Sequence, residues 1–383
     1  MKGASIPACL APIKDAVAAS RREQDRFRAV QARWTAHAAE VRRRLPSAVI
    51  EDGGEALYLG ALSPGCRACK NGAWDCIFVT MECNLDCAFC WRPNAPASGH
   101  VGSVFGATRE AVAEPYAHAA VHGISLSGGE PFLEWESLAD WLVWLTSRYP
   151  DRYYWVYTNG LLVREEQIHR LSEIGLNELR FNMAAGGYTH AAAMSSLAAA
   201  ARLLPAATVE IPAIPEDRER VLSALHGWCE AGVKYLNLHE LVYEPGTNSG
   251  LMPGAREPGR LGDGHAFDFN PDSRALVLEV MERVHAERLP LAVNDCSLHS
   301  KFRQLRGRRR MLAPVTKAAH EKLTEEGLLE SCCMDRGTDC IVFHPEQLNE
   351  MRARYPDRRF FRLARTVPLS RGQPGRWRRF EPL

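Results

Sequence analysis

The chain has 383 residues, 46% hydrophobic and 24% charged, ordinary globular proportions that exclude wholesale disorder, a collagen-like repeat and a fibrous coil. At about 150 residues per domain this is two to three units, or one barrel-sized unit with flanking pieces. The net charge of +1 conceals +6 over residues 1–48, +8 over 351–383 and −13 between them; with no nucleic-acid-binding motif, the reading is of arginines packing back on an acidic body, and nucleic acid is not expected as a partner.

Residues 1–48 predict one or two helices, with Val17, Phe27, Val30, Trp34, Ala38 and Val41 three or four residues apart among arginines, ended by Pro46. From Asp75 onward, short β-branched or aromatic runs alternate with helical stretches, the pattern of βα units and a parallel sheet. Six strands are predicted: Cys76–Thr80, Ile124–Ser127, Tyr153–Tyr157, Glu178–Asn182, Thr208–Pro212 and Lys234–Leu238, with helices such as Arg109–His122, Val163–Ile174 and Arg218–Glu230 between them. The Gly- and Pro-rich stretch 244–272 predicts a long functional loop, followed by a helix near Arg274–Arg288. No run of 18 uninterrupted apolar residues and no signal-peptide pattern occurs, so a cytoplasmic protein with no membrane span is expected.

Twelve cysteines would mean disulfides in a small secreted chain, but seven of them lie in 66–90 or at 296. In a long chain without a leader such clustering points to metal or cluster ligation. The strongest signal is Cys83-Asn84-Leu85-Asp86-Cys87-Ala88-Phe89-Cys90, directly after the first strand. Three soft thiolates in one short loop can hold three irons of a [4Fe–4S] cube and leave the fourth open to a ligand. A structural zinc site would ask for four protein ligands in paired spacings.

With its aromatic Phe89 just before the last cysteine, this loop resembles that of the radical S-adenosylmethionine (radical SAM) superfamily. The closest resemblance is to a group related to pyruvate formate-lyase activating enzyme, carried over residues 57–310 by Leu62-Ser63-Pro64-Gly65-Cys66-Arg67-Ala68-Cys69, the EIPAIP and NLHEL segments at 210–215 and 237–241, and Cys296-Ser297 followed by Lys301-Phe302. Cys76, Cys332, Cys333 and Cys340 stand outside that group's features.

The resemblance implies an α/β fold: a partial (β/α)6 TIM-like barrel over 75–243, a basic helical extension over 1–48, a cysteine-containing lead-in over 49–74, and a loop and small C-terminal region over 244–383 that covers the active site. It implies S-adenosylmethionine as cofactor, with Cys83, Cys87 and Cys90 on the cluster and Phe89 near adenine. Ser127, Gly128, Gly129 and Glu130 are expected at the methionine amino group, Thr158, Asn159, Arg180 and Asn182 at ribose or carboxylate, and Ile211 against adenine. It further implies a flavodoxin- or ferredoxin-type electron donor and a small-molecule or peptide substrate.

Other residues leave alternatives open. Cys66, Cys69, Cys76 and Cys296 could hold a second iron–sulfur cluster or a zinc ion, or be ordinary reduced thiols. Cys332, Cys333 and Cys340 could bind a thiophile such as trivalent arsenic, ligate a cluster, close a redox disulfide, or be unrelated. His239 and Glu240, at a barrel strand end, are candidate proton donors or substrate anchors. The basic run 304–310 could grip an anionic group or simply form a solvated helix face. Three functions follow: an enzyme making the 5′-deoxyadenosyl radical, a 3-amino-3-carboxypropyl transferase acting on a thiophilic acceptor, and a non-enzymatic iron–sulfur electron carrier.

Overall fold

A computed structural model describes residues 10–26, 28–90, 108–117, 120–243, 248, 250–261, 265–367 and 375–383, with backbone alone at 23–26, 28–29, 259–261 and 265–267. The helices in chain order are α1 (Ala11–Arg26), α2 (Arg28–Arg44), α3 (Pro64–Lys70), α4 (Arg109–Ala117), α5 (Trp135–Arg148), α6 (Glu165–Ile174), α7 (Ala191–Leu203), α8 (Arg218–Glu230), α9 (Ser273–Ala286), α10 (Leu298–Thr316) and α11 (Leu348–Arg354). The strands are β1 (Val49–Glu51), β2 (Ala56–Leu59), β3 (Trp74–Thr80), β4 (Gly123–Gly128), β5 (Tyr153–Thr158), β6 (Glu178–Phe181), β7 (Ala206–Ala213), β8 (Tyr235–Glu240), β9 (Val242–Tyr243), β10 (Glu257–Leu261), β11 (His265–Phe269), β12 (Ala292–Cys296), β13 (Lys322–Leu323), β14 (Leu328–Asp335), β15 (Cys340–Phe343), β16 (Phe360–Thr366) and β17 (Trp377–Pro382).

The chain divides into two compact units, residues 32–304 and residues 1–31 with 305–383. The first holds a nine-stranded sheet in the order β1-β2-β12-β8-β7-β6-β5-β4-β3. Seven neighbours, from β3 through β8 to β12, run parallel, and β2 and β1 close the far side antiparallel. This is the expected partial TIM-like barrel, extended by one parallel strand. Val, Ile and Leu side chains such as Ile77, Leu126, Val156, Leu179, Val209 and Leu236 are at most 2% exposed, as strands covered on both faces require.

Pleating alternates the faces. The residues one step away from that buried series sit in register as Cys76, Ser125, Trp155 and Glu178, then Tyr157, Arg180 and Thr208, then Glu210, Asn237 and Asn294, then Pro212, His239 and Cys296. They face a lumen that helix α3 plugs. Ser63 caps α3 through its hydroxyl and the amide of Cys66 (3.1 Å), and Gly65 lies so close to Arg180, Glu178 and Tyr153 that a Cβ there would fall 2.4 Å from the guanidinium.

The stretch expected as a loop over 244–272 holds an antiparallel three-stranded sheet, β10-β11-β9, with 244–247, 249 and 262–264 outside the described residues. Its Gly and Pro content hid the two strands from propensity reasoning. In the second unit, β13, β14, β16 and β17 form an antiparallel sheet with β15 also on β14, its core made of Leu10, Cys333, Phe361 and Leu363 on one side and Cys332, Met334, Phe343 and Phe360 on the other. The basic run 304–310 lies within helix α10. Among the described residues no helix is long and apolar enough to cross a membrane.

Candidate active site

The three-cysteine loop leaves β3 at a register shift between Phe78 and Thr80. Three bonds tie it to the neighbouring strand ends, Gly129 N to Thr80 O (2.8 Å), Glu130 N to Glu82 O (2.8 Å) and Asn159 Nδ2 to Asn84 Oδ1 (2.7 Å), and Cys90 N to Cys87 O (2.9 Å) turns the loop on itself. Cys83, Cys87 and Cys90 are each half-buried. Burial pushes the Cys83 thiol up and that of Cys87 to about 11, so a metal that takes these sulfurs must displace protons to do so. No three His, Cys, Asp or Glu side chains among the described residues surround a single metal ion. For a cube of four irons, where each thiolate serves its own iron, convergence on one point is not required.

Gly128 and Gly129 are required by a close approach within the chain itself. A Cβ on Gly128, which has φ +132°, would sit 1.9 Å from Thr80 O, and one on Gly129 1.9 Å from Glu82 O. The close approach that demands glycine is therefore to the chain's own cysteine loop. Glu130 is fully buried and its carboxylate accepts from Phe132 N (3.1 Å), Thr158 Oγ1 (2.9 Å) and Asn159 N (2.7 Å). It knits β4 to β5 through these bonds. Burial lifts its carboxyl to about 7, with those donors pulling the other way.

Thr158 and Asn159 belong to the same knot: Gly160 N donates to Thr158 Oγ1 (3.0 Å) and Leu161 N to Asn159 Oδ1 (3.0 Å). Arg180 lies in the lumen, 2% exposed, with Glu178 and Glu210 each at 2.9 Å and the ring of Trp155 beneath it. It is thereby withdrawn from the ribose and carboxylate role. Asn182 has a buried Oδ1 without a partner among the described residues, the state of an acceptor that a bound donor could satisfy. Ile211 is corrected: it is 1% exposed and lies one step off the lumen-facing Glu210 and Pro212. The apolar surface beside Phe89 is Ile214, Leu241, Tyr243 and Met252, and Asn248 Nδ2 holds Phe89 O at 3.0 Å.

His239 Nε2 lies 2.6 Å from Glu210 Oε1. Glu240 points the other way and its Oε2 accepts from Leu298 N (2.8 Å) at the start of α10, a structural role in place of the catalytic one. Burial raises its carboxyl to about 7 from the ordinary 4.5. A raised carboxyl contributes its stability below about 4.5 and loses it as pH climbs through about 7. Glu240→Gln is therefore expected to raise Tm by about 2–4 °C at pH 8 and leave it unchanged at pH 4; calorimetry at the two pH values checks this.

Two of the four cysteines considered for a second metal have side-chain hydrogen-bond partners in the lumen. Cys66 Sγ donates to Asn237 Oδ1 (3.2 Å), and Cys296 Sγ accepts from Lys301 Nζ (3.4 Å). Cys332 and Cys333 are adjacent on β14 and so face opposite sides of its sheet, in separate apolar clusters. Only Cys340 joins Cys333, and no three-thiol site for a thiophile exists there. Cys332→Ala and Cys333→Ala should each cost about 1–2 kcal/mol by chemical denaturation, with turnover retained.

Sequence reasoning missed Glu210, Tyr157, Asn237 and Lys301 as lumen residues. The period-two pleat through Thr208, Glu210 and Pro212 was the available signal for the first.

The loop that carries Cys83, Cys87 and Cys90 follows β3 at the C-terminal end of a parallel α/β barrel, the end at which such barrels place their active sites. The model of the Radical SAM superfamily matches residues 77–248; that stretch is a radical SAM domain and marks the chain as an enzyme of radical SAM type. A protein of Methanocaldococcus jannaschii with the provisional name glycyl-radical enzyme activating enzyme MJ0021 is 24% identical over 279 residues, 70% of this chain and 72% of that one. Among solved structures, SuiB of Streptococcus suis bound to its precursor peptide SuiA is 14% identical with TM-score 0.44, covering 60% of this chain and 50% of that one. Methylornithine synthase is 15% identical with TM-score 0.40, covering 64% and 73%. The chain thus spans about half the length of the SuiB structures it matches.

Proposed function

We propose that this enzyme modifies a small-molecule or peptide substrate, bound at the mouth of the barrel lumen, by hydrogen abstraction. When bound, the cluster and S-adenosylmethionine supply an electron and a 5′-deoxyadenosyl radical. The observation that carries the reading is the locking of the Cys83–Cys90 loop to β4 and β5 through Gly129, Glu130 and the Asn84–Asn159 pair.

The chain's own residues do the rest. Cys83, Cys87 and Cys90 hold three irons; Ser127 and the Gly128–Gly129 backbone present polar groups beside the open one. Asn182 offers its unpartnered oxygen to the cofactor, and Phe89 with Ile214 and Leu241 gives the apolar wall that a nucleobase needs. His239, a third exposed, faces the lumen as a substrate-contacting group. A flavodoxin- or ferredoxin-type protein is the electron donor this scheme requires. The name of the M. jannaschii relative favours a peptide or protein substrate. The separation of Cys332 from Cys333 leaves the aminocarboxypropyl reading without its acceptor site.

The test is anaerobic reconstitution with iron and sulfide, followed by S-adenosylmethionine and dithionite, with the released nucleoside identified by mass spectrometry. 5′-Deoxyadenosine is expected; 5′-methylthioadenosine would overturn the reading.

A further inference from the structure

The lumen carries a charge system that cofactor binding does not use. Pro212, His239 and Cys296 lie in register on β7, β8 and β12. Glu210 presents Oε1 to His239 Nε2 at 2.6 Å, and its Oε2 accepts from Arg180 Nη1 and Asn237 Nδ2, each at 2.9 Å. The carboxylate is thereby fixed, and with it the imidazole ring. Cys296 is the register neighbour of His239 on the adjacent parallel strand, on the same lumen face, and its sulfur receives Lys301 Nζ at 3.4 Å.

Access is graded. Cys296 is 8% exposed while the His239 side chain is 34% exposed, so the system opens to the lumen at the histidine. The titratable groups facing Cys296 are His239 from β8, Lys301 from α10, and Cys69 and Lys70 from α3. Burial pushes the Cys296 thiol up, but the cations of His239 and Lys301 outweigh it and hold the thiol below its ordinary range. Cys69, where burial dominates, is driven up.

We propose that Glu210, His239 and Cys296 form a nucleophilic unit at the mouth of the lumen, in which the Cys296 sulfur adds to a soft electrophilic carbon of the substrate, the β carbon of an α,β-unsaturated carbonyl. The arrangement is that of a nucleophile, its proton partner and an orienting carboxylate. The Sγ–C bond forms, the carbon–carbon π pair shifts toward the carbonyl oxygen, and the His239 imidazolium delivers its proton to the α carbon. Elimination reverses each of these movements, so no oxidant or reductant is consumed. Lys301 lowers the energy of the thiolate from its other side. The proposal rests on the preceding reading only for taking the lumen mouth as the substrate site.

The test needs neither cluster nor S-adenosylmethionine, so its failure is separable from failure of the radical chemistry. The full chain is treated with acrylamide between pH 5.5 and 9, and adducts are quantified at each cysteine by peptide mass spectrometry. Half-buried Cys229, pushed up by burial, is the internal reference. The Cys296 rate is expected to change less than about threefold between pH 6 and 8.5, while that of Cys229 climbs about tenfold per pH unit. Glu210→Gln and His239→Gln should each slow Cys296 at pH 6 by about tenfold or more and restore a rising pH profile; where His239→Gln fails to fold, Lys301→Met supplies the same reading. A Cys296 profile parallel to that of Cys229 in the parent protein would overturn the proposal. So would labelling that appears only after a chelator is added, since Cys296 would then be a metal ligand.

Discussion

Gly129→Ala is expected to abolish cluster binding although no ligand is touched. The new Cβ would lie 1.9 Å from Glu82 O, 2.5 Å from Glu82 C and 2.8 Å from Met81 O. All three are backbone atoms, so no side-chain rotation relieves the overlap, and the strand end or the cysteine loop must move. The bond from Glu130 N to Glu82 O (2.8 Å) crosses the same contact and is lost with that movement. Overpacking of this kind costs about 1–3 kcal/mol or more. More important than stability is the position of Cys83, one residue beyond Glu82. Iron content and the absorbance near the cluster's charge-transfer bands after reconstitution are the readout, with less than about a tenth of the parent value expected, since ligating groups tolerate displacements of only about 0.5 Å. A fully loaded Gly129→Ala protein would show that the glycine pair serves some other purpose.

Arg180→Met is expected to be the most destabilising substitution in the lumen. The guanidinium bonds Glu178 Oε1 at 2.9 Å and Glu210 Oε2 at 2.9 Å and reaches Ser63 Oγ at 3.3 Å at the start of α3. Methionine matches much of its volume but leaves Glu178 fully buried and Glu210 without its strongest partner. Removing one member of a buried ion pair costs about 3–5 kcal/mol, because the remaining charge stays out of water. The pH dependence has a defined sign. Although burial pushes the Glu210 carboxyl up, Arg180 and His239 hold it well below the usual range. A depressed carboxyl contributes stability above its unfolded pKa and loses it only as pH falls through the folded one. The parent protein should therefore keep this contribution down to moderately acid pH. In Arg180→Met the loss is largest near neutrality and shrinks toward pH 4, where protonation of Glu210, no longer held down by the guanidinium, removes its unpaired charge. Urea denaturation across that range checks it; a uniform loss at every pH would contradict the ion-pair account.

The six strands were legible because Val, Ile, Tyr, Trp and Phe concentrate in short runs between amphipathic helices, and each predicted strand falls within two residues of an observed one. The seventh parallel strand, β12, was not. Its sequence Ala292-Val293-Asn294-Asp295-Cys296 is half polar, since the lumen accepts Asn294 and Cys296 and the Arg274–Asp295 pair (2.6 Å) sits on its other face. The cysteine loop was legible because its chemistry is carried by spacing within one segment. Side-chain direction was not: Glu130, Glu240 and Ile211 all occupy the predicted strand ends, yet pleat and capping turn the first two into hydrogen-bond acceptors for Phe132 N and Leu298 N and bury the third. Cys332 and Cys333 illustrate the same limit, because neighbours in sequence become opposites across a sheet.

The central claim is that Cys83, Cys87 and Cys90 leave one iron open for S-adenosylmethionine. Electron paramagnetic resonance of the dithionite-reduced, reconstituted protein tests it most directly. A reduced [4Fe–4S] signal should appear, change shape when S-adenosylmethionine is added, and be absent from Cys87→Ala. A cluster signal unaltered by S-adenosylmethionine, or one that survives Cys87→Ala, would contradict it.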